Sequence, residues 1–125
     1  MRIVLDAMGT DGAPESEVAG AVRALRELDN DFEIVLVGDQ ETLRAEVAGH
    51  DDFPMDRLHL EHASDRILPG EAPASVLRKH PESSIVKGLL LQKKGAADAF
   101  VSAGSTGAVM AASLFILKPL EGVDR

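Results

Sequence analysis

Cysteine, tryptophan and tyrosine are absent from this 125-residue chain, and phenylalanine occurs only four times. Without cysteine there is no thiol catalysis, no disulfide and no thiolate metal site, a composition that fits a reducing, cytoplasmic setting. With so few aromatics there is little to stack on nucleobases, so nucleic acid is not an expected partner. The core must be built from Leu, Val, Ile, Ala and Met. Long apolar runs are missing as well. The most apolar stretch, 108–117, falls well short of the roughly 20 residues a membrane-spanning helix needs and reads as a core helix. The chain opens directly on strand pattern, so no signal peptide is expected. His50, His59 and His80 show no metal-ligand spacing with one another or with a carboxylate cluster, and both standard nucleotide fingerprints are missing. Neither a metal nor a cofactor is expected.

Charge is present and unevenly placed within a formal net of −8. Residues 1–65 carry sixteen acids against five Lys and Arg, whereas residues 66–94 carry two against six. A basic segment inside an acidic chain suits an anionic partner, and equally suits a solvated helix face.

Short apolar runs predict strands at 2–7, 32–37, 58–62 and 98–102. Helical periodicity separates them. Val18, Val22, Leu25 and Leu28 form one stripe, entered through Pro14 with Glu15 and Glu17 at its positive end. Asp39 reads as the cap of a second helix that carries Leu43 and Val47. Pro69, Gly70 and Pro73 break a long connection after the third strand. A short helix over 74–79 is interrupted at His80-Pro81. A longer one follows, capped by Ser83 or Ser84 and stopped by Gly95. Gly88 inside it costs about 1 kcal/mol relative to Ala, which close packing against a strand explains. The last helix runs to Lys118-Pro119. Strands alternating with helices predict an α/β protein with a mostly parallel sheet. The length fits one domain. No strand pattern follows the last helix, so residues 1–125 read as part of a longer α/β domain, its sheet incomplete at the carboxyl end.

Two small-residue turns carry the chemical signal: DAMGTDGAP at residues 6–14 and SAGSTGA at residues 102–108. Each follows a strand and precedes a helix, the local build of an anion site, because free N–H groups and the helix dipole favour negative charge there. Gly104 and Gly107 permit close backbone approach, and Ser102, Ser105 and Thr106 bring hydroxyls. Helix capping with small residues for packing explains the same pattern. Asp6 ends a strand, where a buried carboxylate needs partners. It can orient a ligand or brace its own loop through backbone N–H groups, and bracing is the simpler role. Gly9 and Asp11 lie in the same turn. His62 ends the third strand and could face the crevice, although a lone histidine usually has a structural role. No Ser nucleophile with a base and an orienter is recognisable.

Five segments occur in order: RIVLDAMGTDGAP at 2–14, LVGD at 36–39, HAS at 62–64, RKHPESSI at 78–85 and ADAFVSAGSTGAVMAA at 97–112. Together they closely resemble the amino-terminal part of bacterial phosphate acyltransferases of the PlsX type. The resemblance covers essentially the whole chain but well under half of a usual family member. It implies a Rossmann-like three-layer α/β/α fold and transfer of a fatty acyl group from acyl carrier protein to inorganic phosphate. The product would be an acyl phosphate for phospholipid synthesis. It also implies a homodimer, cytoplasmic and peripheral at the inner face of the membrane. Phosphate is its own nucleophile, so the protein need only hold it, align it and stabilise the developing oxyanion.

On this reading Asp6, Gly9, Asp11, Ser102, Gly104, Ser105, Thr106 and Gly107 contact phosphate or substrate, and His62 lines the pocket. Arg78, Lys79, Lys87, Lys93 and Lys94 meet the acidic carrier. No general acid or base is assigned. Thr10, Gly12 and Ser105 depart from the family's usual DAMGGDHAP and SAGNTGA: Thr10 questions a close backbone approach at that position, Gly12 removes a histidine, and Ser105 puts a hydroxyl where an amide would sit. The alternatives are a phosphate acetyl- or butyryltransferase acting on coenzyme A thioesters, a folded fragment that turns nothing over, and, last, a generic nucleotide binder.

Overall fold

The computed structural model describes residues 1–29, 31–68 and 70–123. Pro69, read above as a breaker, and the final Asp124-Arg125 lie outside the described residues. Four strands form one parallel sheet: β1 (Arg2–Asp6), β2 (Glu33–Gly38), β3 (Leu58–His62) and β4 (Ala99–Val101), in the order β3-β2-β1-β4. Alternation along the strands builds the two faces. Ile34 and Leu36, with the half-buried Ile3, Leu5, Leu58 and Leu60, pack against α1 (Glu15–Glu27) and α2 (Gln40–Ala48). Val4, Val35, Val37 and Phe100 face the other way, towards α4 (Ser84–Lys93). A further cluster of Ile85, Val86, Leu89, Ala108, Ala112 and Ile116 joins α4 to α5 (Thr106–Ile116). The result is the three-layer, Rossmann-like α/β/α arrangement.

The predicted caps form. Asp39 Oδ1 accepts from Thr42 N at 2.9 Å, and Ser83 Oγ accepts from Val86 N at 3.4 Å. Gly88 is required by packing, since a Cβ there would lie 2.4 Å from Phe100 Cε2. Two expectations are adjusted. The stretch expected as one short helix is a 3-10 turn (Pro73–Ser75) followed by α3 (Val76–Lys79). Helix α5 stops at Ile116, because Lys118 takes a left-handed φ of 67° and its N–H bonds back to Ser113 O ahead of Pro119. All four described strands are parallel, which bears out the expected mostly parallel sheet.

The chain reverses its direction of travel across the sheet between β1 and β4. Strands β1, β2 and β3 are laid down outward, and the chain then returns to place β4 on the other side of β1. Ligands of open α/β sheets bind outside the carboxyl ends of the strands at such a switch point. The turn after β1 and the turn after β4 are the two that flank it.

Candidate functional site

Leu5 pairs with Val101, so β1 and β4 end in register and release their turns side by side. Asp6, 1% exposed, ties the two together. Its Oδ1 accepts from Met8 N at 3.0 Å, and its Oδ2 accepts from the Ser102 hydroxyl at 2.7 Å. Ser102 Oγ in turn accepts from Gly104 N at 3.1 Å. The turns touch backbone to backbone. A Cβ on Gly9 would meet Gly104 N at 2.8 Å and Asp6 Oδ2 at 2.9 Å, and one on Gly104 would meet Gly9 Cα at 3.2 Å. Only glycine at both positions admits this contact, whatever φ the residues adopt. Asp6 and Ser102 therefore act as braces: their polar atoms are committed to each other and to the turns' own amides.

Ser105 is the N-cap of α5, its Oγ accepting from Ala108 N at 3.4 Å, which leaves its proton free to donate outward. Thr106, exposed, opens the helix. Neither Thr106 nor Gly107 donates its amide to a described backbone carbonyl outside the helix. Gly107 packs against Pro73, whose Cγ would be 3.0 Å from a Cβ there. Those amides and hydroxyls, at the positive end of an 11-residue helix, are the donors the site offers. Asp11 is exposed at the loop tip and makes no described hydrogen bond or ion pair.

The loop after β1 is held from a second side by a residue the sequence did not single out. Glu17 on α1, 7% exposed, accepts from Thr10 N at 3.2 Å and from the Thr10 hydroxyl at 2.7 Å through Oε1. Its Oε2 accepts from the Ser16 hydroxyl at 3.2 Å. Thr10 thus turns into the protein, and the close backbone approach belongs to Gly9 and Gly104. Glu17 was legible only as a first-turn acid; its second role depends on the loop folding back over α1.

Other expected site residues lie elsewhere. His62 pairs in register with Gly38, two strands from β1, and its Nδ1 accepts from Gln40 N at 3.2 Å. It braces the start of α2 and is not brought to the paired turns. Of the five basic residues, Arg78 and Lys79 lie on α3, Lys87 near the start of α4, and Lys93 and Lys94 at its end. Ser84, at its start, bonds to Asp65 O just after β3, whereas Lys93 and Lys94 close it four or five residues before Asp98, whose N–H reaches Arg2 O at the start of β1. Lys93 and Lys94 are therefore at the end of the sheet remote from the turns. Lys87 pairs with Glu82 at 2.6 Å, and Arg78 and Lys79 are exposed on α3. A broad depression of about 380 Å³ lined by Arg2, Glu33, Arg57 and Asp98 also lies at that remote end.

His80 joins two carboxylates. Its Nδ1 is 2.6 Å from Asp65 Oδ2 and its Nε2 is 2.5 Å from Glu71 Oε2. Both nitrogens can donate only in the imidazolium form. The hydrogen bond to Asp65, then that to Glu71, pushes the His80 pKa above its ordinary value. Glu71 is held below its own by the Leu68 N–H and then by His80. This clamp fixes the connection from β3 to α3, which carries Pro73 against Gly107. Among the described residues no cluster of His, Asp and Glu could hold a metal ion, and no helix is long and apolar enough to cross a membrane.

The sheet order and the paired turns at its switch point define a Rossmann-like α/β protein. The model of the family described as "Fatty acid synthesis protein" matches residues 1–125, and the chain belongs to that family. It is similar to the phosphate acyltransferase of Salinibacter ruber, 45% identical over 99% of this chain and 37% of that protein. It is likewise similar to the phosphate acyltransferases of Herpetosiphon aurantiacus, 48% identical over all of this chain and 33% of the relative, and Halothermothrix orenii, 46% identical over all of it and 37% of the relative. The resemblance drawn from the sequence motifs is borne out. The chain spans about a third of the length of the curated relatives it matches.

Proposed function

We propose that this chain forms the phosphate-positioning part of an enzyme that transfers a fatty acyl group from acyl carrier protein to inorganic phosphate, yielding acyl phosphate. The observation that carries the reading is the contact of Gly9 with Gly104 at the switch point, locked by Asp6 and Ser102. The names of the relatives support the acyl and phosphate halves of it. Phosphate would lie against the start of α5, held by the Thr106 and Gly107 amides and the Ser105 and Thr106 hydroxyls. One of its oxygens attacks the thioester carbonyl, and collapse of the tetrahedral intermediate releases the carrier thiolate. The protein's contribution is alignment and charge stabilisation. Asp6 and Ser102 serve as positioning residues and Asp11 stands at the mouth. His62 falls outside this reading.

Arg78 and Lys79 are the cations best placed to meet an acidic carrier at the crevice end, and exposed charges of this kind act through long-range steering. The protein would be a cytoplasmic homodimer, peripheral at the inner face of the membrane. The exposed apolar residues Met110, Leu114 and Phe115 on α5 are compatible with a covering surface in a larger assembly. Residues 1–125 alone would turn nothing over, since the relatives are about three times as long. One assay tests the reading: acyl phosphate is measured from acyl-carrier and coenzyme A thioesters, with the full-length enzyme and with residues 1–125. Turnover confined to the full-length enzyme and the carrier thioester is expected. Preference for coenzyme A thioesters would favour the acetyl- or butyryltransferase alternative instead.

A further inference from the structure

A separate cavity of about 140 Å³ lies on the other side of the β1–α1 loop, lined among others by Met8, Pro14, Asp39, Thr42, Leu43 and Arg66. Gly9 faces the turn after β4, whereas Met8 packs on Gly38, and its Sδ accepts from Asp39 N at 3.3 Å. Met8 therefore walls this cavity off from the paired glycines. The volume is several times the roughly 30 Å³ share of a water molecule in the liquid, room for a five-atom oxyanion.

Two charged groups of opposite sign line it without meeting. Arg66 Nε is buried and has no hydrogen-bond partner among the described residues, nor does its guanidinium make an ion pair with any of them. A buried, unpaired donor on a charged group is costly and is rarely left so in a folded protein. Asp39 spends Oδ1 on Thr42, accepting from its N–H at 2.9 Å and its hydroxyl at 2.6 Å, and those bonds hold its carboxyl below the usual range. Its Oδ2 accepts no hydrogen bond among the described residues. The cavity thus presents donors at one side and a charged acceptor at the other.

We propose that this cavity binds a phosphate group that carries its own proton, either hydrogen phosphate or the monoanion of a phosphate monoester, with Arg66 donating to an anionic oxygen and Asp39 Oδ2 accepting from the P–OH. A guanidinium fork suits phosphate oxygens. The carboxylate supplies the selectivity: sulfate has no proton to give near neutral pH and would face Asp39 charge to charge. Met8 and Pro14 of the first turn wall the cavity, but the two groups that would hold the ligand, Arg66 and Asp39, lie outside both turns, so its binding chemistry does not rest on the function proposed above.

Calorimetric titration of the protein with inorganic phosphate, sulfate and methyl phosphate tests this. Phosphate is expected to bind this site about tenfold or more tightly than sulfate, and Arg66→Gln to weaken that binding by about tenfold or more, with Arg66→Lys intermediate. Asp39→Asn keeps the α2 cap, because asparagine caps as well as aspartate, and should erase the preference over sulfate. In a titration at about pH 5.5, where the monoester keeps its proton, methyl phosphate binding as well as phosphate would identify the group as part of a larger molecule; weak methyl phosphate binding there would identify free phosphate. Phosphate binding that survives Gly104→Val and is lost when Arg66→Gln is added in that background supports this site independently of the turns. Binding unchanged in Arg66→Gln, or equal affinity for sulfate and phosphate in the wild type, would overturn it. Should Arg66→Gln fail to fold, the sulfate comparison and Asp39→Asn decide.

Discussion

Ser102 and Asp6 show what single side chains contribute at the switch point. The Ser102 hydroxyl is the only described side-chain donor to Asp6, the other bond coming from the Met8 amide. Ser102→Ala removes one hydrogen bond from a buried carboxylate and the acceptor of Gly104 N, so a loss of about 1–3 kcal/mol in unfolding free energy is expected. Chemical denaturation checks this, and wild-type stability would mean that the brace is dispensable. His80 makes a different contribution. Its folded pKa is raised, so its clamp is at full strength below the ordinary imidazole pKa and is lost as pH rises through the raised value. Glu71 has a lowered pKa, so its part is present above the ordinary carboxyl value and is lost as pH falls through the lowered one. Thermal melting should therefore show a stability contribution across mildly acidic to neutral pH that declines towards alkaline pH. His80→Gln should flatten the alkaline decline, and an unchanged profile in that variant would count against the clamp. No spacing rule could reveal it, because the histidine meets carboxylates 15 and 9 residues away only through the fold of an irregular connection.

The sheet-facing glycine of α4 shows how an element is positioned. With 2.4 Å between a Cβ at position 88 and Phe100, α4 lies close on β4 and β1. Helix propensity alone would make Gly88→Ala stabilising by about 1 kcal/mol, but overpacking costs about 1–3 kcal/mol. Net destabilisation is expected, with Phe100→Leu restoring part of it; a stabilised single variant would show that the helix can shift freely. The elements themselves were largely legible. Runs such as Glu33–Gly38 and Leu58–His62 have few alternatives to buried strands, and Asp39 and Ser83 announce caps by residue type. The connection through Pro73–Ser75 was harder to read, since its conformation is fixed by Asp65, Glu71 and His80 rather than by local periodicity. Glu17 and Arg66 are hidden for the same reason: by residue type one is an ordinary first-turn acid and the other a cation in a basic stretch, and only the fold brings them to the loop and the cavity.

At the scale of the molecule, strand order gives the turns their meaning. With β1 flanked by β2 on one side and β4 on the other, the turns after β1 and β4 flank the switch point, and glycine at both positions lets them close on each other. The sequence placed Ser102 and Asp6 in two separate motifs; the structure makes them one unit. The same geometry separates what composition had grouped, sending Lys93 and Lys94 to the end of the sheet remote from the turns. The exposed Val101, Met110 and Phe115 leave apolar surface on β4 and α5. On the proposed function, the paired turns hold the phosphate that accepts the acyl group. Steady-state kinetics of Gly104→Val in the full-length enzyme, with phosphate and acyl carrier varied separately, test it most directly. The phosphate KM is expected to rise about tenfold or more, or activity to be lost, in a folded variant whose carrier KM is unchanged. A wild-type phosphate KM in that variant would contradict it.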